Sequence, residues 1–572
     1  MSAGEASFCK ALFFGVVAED LIFPFPRVQD AVIAEVHDCV TRVRRFVESE
    51  VDSSAIDGDA RVDASTLGRM AELGLFGLSV PPELGGLGLS RMASCRVVSE
   101  LAAGDPSLGL VAVAHEAIGL RAIRSFGSPE LQQRLVLPLA RGERLVAFAL
   151  AEDISGTDAS TTRTIAERSG DGWVLDGDKP WVTNGVHADV FVVLARTSRL
   201  DEGHKPRLTP FVVERGPGVT VGPLRPTLGL RGAGVAQVSF RGVRLPADAI
   251  LGEVGRGFRV AMEVMTDARV ALSAWLFGQL RSLVSWSVAR VQDRRSFGRV
   301  IGEFPIVKNK VAKMLADAFA IESMTFLTAG LIDNGVEDTS LESSLTRIAA
   351  SEALWRTANE AMQIAGGSGY GTALPLERRL RDARGGLVVD GTNETLRCFV
   401  ALSGLRAPGE RLAGVERAMV EPVKGFGLLR DFALRKVRGA IRRERMTRAH
   451  PLLGREAVMF EEGTDALQRA AERALRDHGR EIAEVQQAQL RIANVVMDLY
   501  ALAACIARTT LAIEERGESG ARREIDLTSM FAAAARARME ENLARLEHAD
   551  DALRKAIVSR TYTDGGYPFD VI

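Results

Sequence analysis

Cysteine is scarce in this chain and follows no pattern. Cys9, Cys39, Cys95, Cys398 and Cys505 are odd in number, widely scattered and nowhere spaced as Cys-x-x-Cys. Neither a disulfide framework nor a zinc site is indicated, and a reducing, cytoplasmic setting is expected. An excess of one charge is missing too: 72 basic and 74 acidic side chains leave a net charge of −2, so no nucleic-acid footprint follows. The apolar stretch from Lys10 to Val17 is too short to cross a bilayer and lacks the basic region and cleavage pattern of a secretory signal. Neither a targeting segment nor a transmembrane helix is predicted. The seven histidines form no set with cysteines and carboxylates that suggests a metal. Short repeats and low-complexity tracts are absent as well.

What remains is the composition of packed globular domains, 47% hydrophobic and 26% charged over 572 residues. At about 100 to 200 residues per domain, that length suggests three to five domains. From Val28 to Arg141 apolar residues recur at helical spacing, as in Val32, Ile33, Val36, Val40, Val43 and Val47. Pro81-Pro82 and Gly85-Gly86 mark a loop between helices. Between Leu145 and Leu251 the period becomes two, with strands predicted at Trp173–Leu175, Trp181–Thr183, Val190–Leu194, Pro210–Val213 and Val235–Phe240. Asp176-Gly177 reads as a type I′ hairpin turn between the first two. Helical patterns return over Val260–Gln292, Lys308–Ile332 and Leu345–Ile364, and Gly366–Gly371 closes the last in a glycine-rich turn. Beyond Arg406 come Pro408-Gly409, a second break at Pro422–Gly427 and a packed helical block from Arg455 to Ser559. The expected division is 1–144 helical, 145–252 β, 253–407 helical, 408–454 linker and basic segment, and 455–572 a further helical domain.

Several segments carry chemistry. Val388-Val389-Asp390-Gly391-Thr392-Asn393-Glu394-Thr395-Leu396-Arg397, preceded by Glu377 to Arg384, resembles the segment in which acyl-CoA dehydrogenases hold their catalytic base, with Asp390 where that family usually has glutamate. Phe148 to Asp158 resembles the stretch that runs along the flavin, with Ala151 for the usual threonine, Asp153 for proline, and Gly156 and Thr157 retained in kind. Trp181-Val182-Thr183-Asn184-Gly185 resembles the segment whose indole covers one flavin face and whose threonine reaches flavin N5. Arg294-Arg295-Ser296-Phe297-Gly298 matches the family's pyrophosphate and adenine contacts, an Arg fork and an aromatic ring. Gln363-Ile364-Ala365-Gly366-Gly367 resembles the segment that reaches the FAD of a neighbouring subunit, which implies at least a dimer. Met265 to Arg269 resembles the substrate-side end of a helix, where the family places an Arg near the base and acyl-CoA. The alternative base position there is Ala268, and Asp267 points about 100° away around a helix.

The order and spacing of these segments identify the chain as a member of the acyl-CoA dehydrogenase family. Phe8 to Pro26 together with the C-terminal helical block resemble its very-long-chain branch. The resemblance implies a mostly α fold with an inserted β-barrel-like domain, an N-terminal helical domain, a four-helix bundle and an extra C-terminal helical domain. It implies FAD, held by Phe148, Ala151, Gly156, Thr157, Trp181, Val182, Thr183, Arg294, Phe297, Gln363, Gly366, Gly367, Thr392, Asn393 and Glu394. Acyl-CoA would be bound by Thr157, Asp267, Arg269, Val389 and Gly391, with Asp390 as general base and its backbone N–H polarising the thioester carbonyl.

The aspartate arm is shorter by one methylene, about 1.5 Å, and a displacement near 1 Å can cost on the order of a hundredfold in rate. Two readings follow: a dehydrogenase for medium- to long-chain acyl-CoA, or a low-activity FAD-binding assembly protein of the same fold. The long-chain branch favours two glycines one turn apart at the tunnel floor, and here Gly109 fits while Val113 does not. Electrons would leave to an electron-transfer flavoprotein. Residues 428–448 carry eight basic side chains against Asp431 and Glu444, a net of +6, with Leu429, Ala433, Val437, Ala440 and Ile441 on one stripe. That pattern suits an anionic membrane surface or the protein's own core, so peripheral contact with the inner face of a membrane is one expectation. His115 reads as a satisfied core histidine.

Overall fold

The computed structural model describes residues 7–198, 207–420, 444–547 and 550–570, the side chains of 160 and 411–420 excepted. Two compact units are present: residues 25–395 form one, and residues 6–24 with 396–572 form the other.

Of the helices α1 to α8 that open the chain, α1, Phe8–Leu12, belongs to the smaller unit and the others to the larger. The rest are α2 (Asp30–Ser49), α3 (Ser53–Asp59), α4 (Ala64–Glu72), α5 (Arg91–Gly104), α6 (Pro106–Val113), α7 (Arg121–Phe126) and α8 (Pro129–Ala140). Their starts are set locally: the side chains of Asp52, Asp63, Ser90, Asp105 and Ser128 each accept from a first-turn N–H, and Pro106 and Pro129 occupy first positions that need no donor. In α2 the inward face is Val36, Cys39, Val40, Val43 and Phe46, so Val36, Val40 and Val43 of the predicted stripe are buried while Val32, Ile33 and Val47 are half-buried at its edge. A π-helical turn, Ala114–Leu120, joins α6 to α7 and carries His115, which is fully buried.

The middle segment is one curled seven-stranded sheet: β1 (Val146–Ala149), β2 (Ile165–Ser169), β3 (Gly172–Val182), β4 (Val190–Arg196), β5 (Leu208–Glu214), β6 (Val219–Leu224) and β7 (Ala236–Leu245). The strand order is β1-β4-β2-β3-β7-β6, with β5 antiparallel to β4. Every residue of β4 is buried, which explains its unbroken apolar run: Phe191, Val193 and Ala195 face the sheet's inner core, while Val190 and Val192 pack with Leu131, Leu135 and Leu139.

One turn expectation fails. Asp176-Gly177 lies inside the single eleven-residue strand β3, and the β2–β3 hairpin turns instead at Gly170-Asp171, where Gly170 has φ +60°. Gly177 marks a register shift against β7. A Cβ there would lie 2.5 Å from Thr164 Oγ1, so the glycine serves a bulge and a close backbone approach.

Three long helices follow, α9 (Gly257–Asp293), α10 (Pro305–Asp333) and α11 (Ser340–Ala365), then the short α12 (Gly367–Tyr370) and α13 (Leu376–Gly385). The second unit holds α14 (Asn393–Val420) from Leu396 onward, α15 (Gly454–His478), α16 (Gln486–Gly520), α17 (Arg522–Glu547) and α18 (Asp551–Asp564). In it Phe8 of α1 lies near Phe460 and Tyr500, at centroid distances of 6.3 and 6.1 Å, which ties the N-terminal segment to α15 and α16. Pro408-Gly409 does not break α14: proline already has a helical φ and forfeits one donor, and Gly409 lies against Leu475.

Three helical stretches, Pro106–Phe126, Pro305–Asp333 and Gln486–Gly520, are long and apolar enough to cross a membrane by length and composition. Their apolar windows are 89%, 67% and 83% buried within the protein, so packing accounts for their hydropathy. The basic segment singled out at 428–448 lies outside the described residues up to position 443.

Candidate active site

The short connection from α13 to α14 carries Asp390. Its backbone and that of Gly391 are both left-handed, with φ of +61° and +86°, before Thr392 Oγ1 caps α14 by accepting from Thr395 N at 3.3 Å. Aspartate is among the few non-glycine residues that tolerate this region. The carboxylate is buried, and its Oδ2 accepts from Arg269 Nε of α9 at 2.9 Å. Arg269 Nη1 also reaches Ser344 Oγ at 3.3 Å. Burial pushes the Asp390 carboxyl above its ordinary value, while Arg269 and then Arg347 pull it back. A carboxylate made more basic by desolvation, next to a guanidinium that can let it go, is suited to taking a proton. Among the described residues the Asp390 backbone N–H has no hydrogen-bond partner, and the space beside Gly391 is open.

Not every residue assigned to this centre is there. Asp267 Oδ2 is engaged by Arg121 at 2.6 Å and Arg91 at 3.3 Å, so its carboxylate ties helices together instead of facing Asp390. Asn393 is buried and its amide is spent inside the protein: Oδ1 accepts from Arg347, and Nδ2 donates to Ser351 Oγ at 3.0 Å and Glu352 Oε1 at 3.1 Å. Glu394 is exposed in the first turn of α14, where a negative charge complements the helix dipole. The room expected beside Gly109 is taken. Its missing Cβ would lie 2.7 Å from Trp275, whose buried indole donates to Pro106 O at 2.7 Å, and Val113 is buried one turn on.

The β segment presents a second group. Glu152 and Ser155 exchange backbone hydrogen bonds, both 3.0 Å, closing a tight loop that leaves Ile154, Gly156 and Thr157 exposed. The loop is anchored by Glu152, whose carboxylate accepts from Lys179 Nζ at 2.8 Å, Thr164 Oγ1 at 2.7 Å and Arg163 N at 2.7 Å. Lys179 is fully buried and also donates to Leu150 O at 2.9 Å; burial, opposed by Glu152, lowers its ammonium to about 8. Because Lys179 precedes Trp181 by two residues, this pair sets the Ala151–Thr157 loop beside the end of β3. There Val182 is buried, Thr183 and Phe148 are half-buried, and Trp181 is 48% exposed beneath the Arg225 guanidinium, 5.4 Å from its ring.

A third group stands where α9 ends. Arg294 caps that helix and is exposed, and Phe297, φ +50°, is 96% exposed on the hairpin Arg295–Val300. Arg290 Nη2 donates to Ser368 Oγ at 3.1 Å, which brings the Gln363–Gly367 turn alongside. Nothing stands within 4 Å of a Cβ built on Gly156, Gly366 or Gly367. Solvent-facing rings, open glycine backbone and an exposed arginine fit a large aromatic dinucleotide with a pyrophosphate.

Profiles of known families match in chain order: the acyl-CoA dehydrogenase N-terminal domain over 34–143, the middle domain over 147–243, and the C-terminal domain over 255–405. The ACAD9/ACADV C-terminal domain matches 451–561. The chain is 35% identical to the mitochondrial very long-chain specific acyl-CoA dehydrogenase of Macaca fascicularis, over 95% of this chain and 85% of that protein. It belongs to the acyl-CoA dehydrogenase family. The human very long-chain specific enzyme is 34% identical over the same shares, and the human short-chain specific enzyme 34% over 66% of this chain and 92% of its own. An acyl-CoA dehydrogenase of Bacillus anthracis, solved with FAD, superposes with a TM-score of 0.82 at 25% identity and covers 99% of this chain and 97% of that one. This acyl-CoA dehydrogenase is thus an FAD-dependent oxidoreductase of the very-long-chain-like branch. Its sequence motifs did not single out Arg347, Ser344 or the Glu152–Lys179 pair; the signal available was a charged or polar residue at an inward helical or strand position.

Proposed function

We propose that this enzyme introduces an α,β double bond into a medium- to long-chain acyl-CoA thioester with Asp390 as the general base. The observation that carries the reading is the buried Asp390 carboxylate beside Arg269, with a backbone N–H left free next to it. The Asp390 N–H polarises the thioester carbonyl and makes the α proton acidic. An Asp390 carboxylate oxygen, released from Arg269, takes that proton. FAD, held by the residues named next, would supply the acceptor for the hydride that leaves the β carbon. Trp181, Val182 and Thr183 would hold the flavin end together with the Phe148–Thr157 segment, and Arg294, Phe297, Gln363, Gly366 and Gly367 the adenine end. Val389 and Gly391 would line the thioester side, and Thr157 would stand where flavin and substrate meet. The Gln363–Gly367 turn and Arg294 form one patch, which supports a homodimer in which that patch serves a single FAD.

Filling of the Gly109 site by Trp275 supports an acyl chain well short of the longest lengths. An electron-transfer flavoprotein would serve as the electron acceptor.

The test is anaerobic mixing of purified protein with saturated acyl-CoA of graded length. Loss of the flavin's visible absorbance is expected for the native chain. Asp390→Asn should slow it by about 10³-fold or more, since general acid–base catalysis alone contributes on the order of 10² to 10⁴. Native protein that holds FAD yet stays yellow with every acyl-CoA would instead support the assembly role.

A further inference from the structure

We infer that Arg347 is the positioning residue for Asp390: one buried guanidinium pins the loop on both sides of the base and so sets where its short arm reaches. The inference rests on Asp390 being the base. Arg347 projects from α11 and is 1% exposed. Its Nη2 donates to Val389 O, the carbonyl just before Asp390, and its Nη1 donates to Asn393 Oδ1, three residues beyond. One turn further along the same helix, Ser351 and Glu352 grip the Asn393 amide. Between the two grips lie only Asp390, Gly391 and Thr392, the first two left-handed, so rotation of the loop is restricted where the carboxylate is aimed. A planar fork can hold two acceptors in a fixed geometry, which an ammonium cannot.

The labour is divided. Arg269 touches the carboxylate, whereas Arg347 acts through the backbone and through its charge. The charged groups around this centre are Arg269 from α9, Arg347 and Glu352 from α11, and Glu394 from α14. Burial lowers the Arg347 guanidinium to about 10, with Asp390 the main opposing influence, which leaves it charged throughout the working pH range. Without that charge, desolvation of Asp390 is opposed by Arg269 alone and the carboxyl titrates higher.

The experiment compares holoenzymes of the native chain, Arg347→Gln, Arg347→Lys and Asp390→Asn, each checked for FAD content and circular dichroism. Expected for Arg347→Gln is a kcat lower by about ten- to a hundredfold, the scale of an approximately 1 Å misplacement. KM for acyl-CoA should change little, because uniform binding is untouched. The acid limb of its kcat profile should move to higher pH, and the Asp390 carboxyl resonance, assigned by its loss in Asp390→Asn, should titrate higher in step. Arg347→Lys, which keeps the charge, should restore the limb and recover only part of kcat. Native kcat and an unmoved limb in Arg347→Gln, with Asp390→Asn inactive, would overturn the inference while leaving the base in place. Full activity in Asp390→Asn would remove the base and the inference together. Loss of FAD or of fold in both Arg347 variants would make Arg347 a structural residue and also overturn it.

Discussion

His115 shows how a single residue's hydrogen bonds settle its protonation. Its Nε2 pairs with Leu139 O at 3.0 Å and its Nδ1 accepts from Val146 N at 3.1 Å, so the neutral ring donates at one nitrogen and accepts at the other. A second proton on Nδ1 would face an N–H. Burial lowers the imidazole to about 4, against about 6.5 in an unfolded chain. The native state therefore binds fewer protons than the unfolded state between these values. Stability from this residue is complete above pH 6.5 and is lost as pH falls toward 4, by on the order of 3 kcal/mol. Asp382 works in the opposite direction, since burial raises its carboxyl to about 6. The check is a substitution: His115→Gln, which keeps a donor and an acceptor, should flatten the fall in urea midpoint between pH 6.5 and 4. Its role as a satisfied core residue was legible in the sequence; its tautomer was not.

At the scale of elements, α6 and α9 meet at Gly109 and Trp275. The sequence placed Gly109 at the floor of the acyl tunnel; that Trp275 takes the space beside it was not legible, because the two lie on helices separated by the whole β segment. Trp275→Ala should cost about 3–5 kcal/mol through the cavity it leaves. It should also move the kcat/KM optimum toward longer acyl chains, which a series of acyl-CoA lengths measures. An unchanged optimum in a folded variant would place the acyl chain elsewhere. The β3 strand teaches a related lesson. Asp176-Gly177 has the chemistry of a turn, yet long-range pairing with β7 recruited it as a bulge, and the weaker-looking Gly170-Asp171 made the hairpin.

At the scale of the molecule, the segments proposed to hold FAD lie in the β segment and where the end of α9 meets the Gln363–Gly367 turn, and a ligand held by such separated parts of the chain stabilises only the folded protein. Stripping FAD should lower the melting temperature, and adding it back at about 100 times Kd should restore about 2.7 kcal/mol. Differential scanning of apo- and holoprotein checks this. Phe297→Ala should weaken the response without changing the apoprotein's own melting, because that ring is almost fully exposed.

The amino-acid sequence alone determined the succession of helical and strand segments, the starts of many helices and the family, because hydrophobic period, capping residues and motif order are local properties of a chain. The resemblance placed Arg269 near the base, 121 residues before it; tertiary structure alone decided that Arg269 pairs with the carboxylate itself and that Arg347 is held to Val389 across 42. No local pattern encodes which buried arginine meets which carboxylate, since that pairing exists only once packing has removed the water that would otherwise separate them.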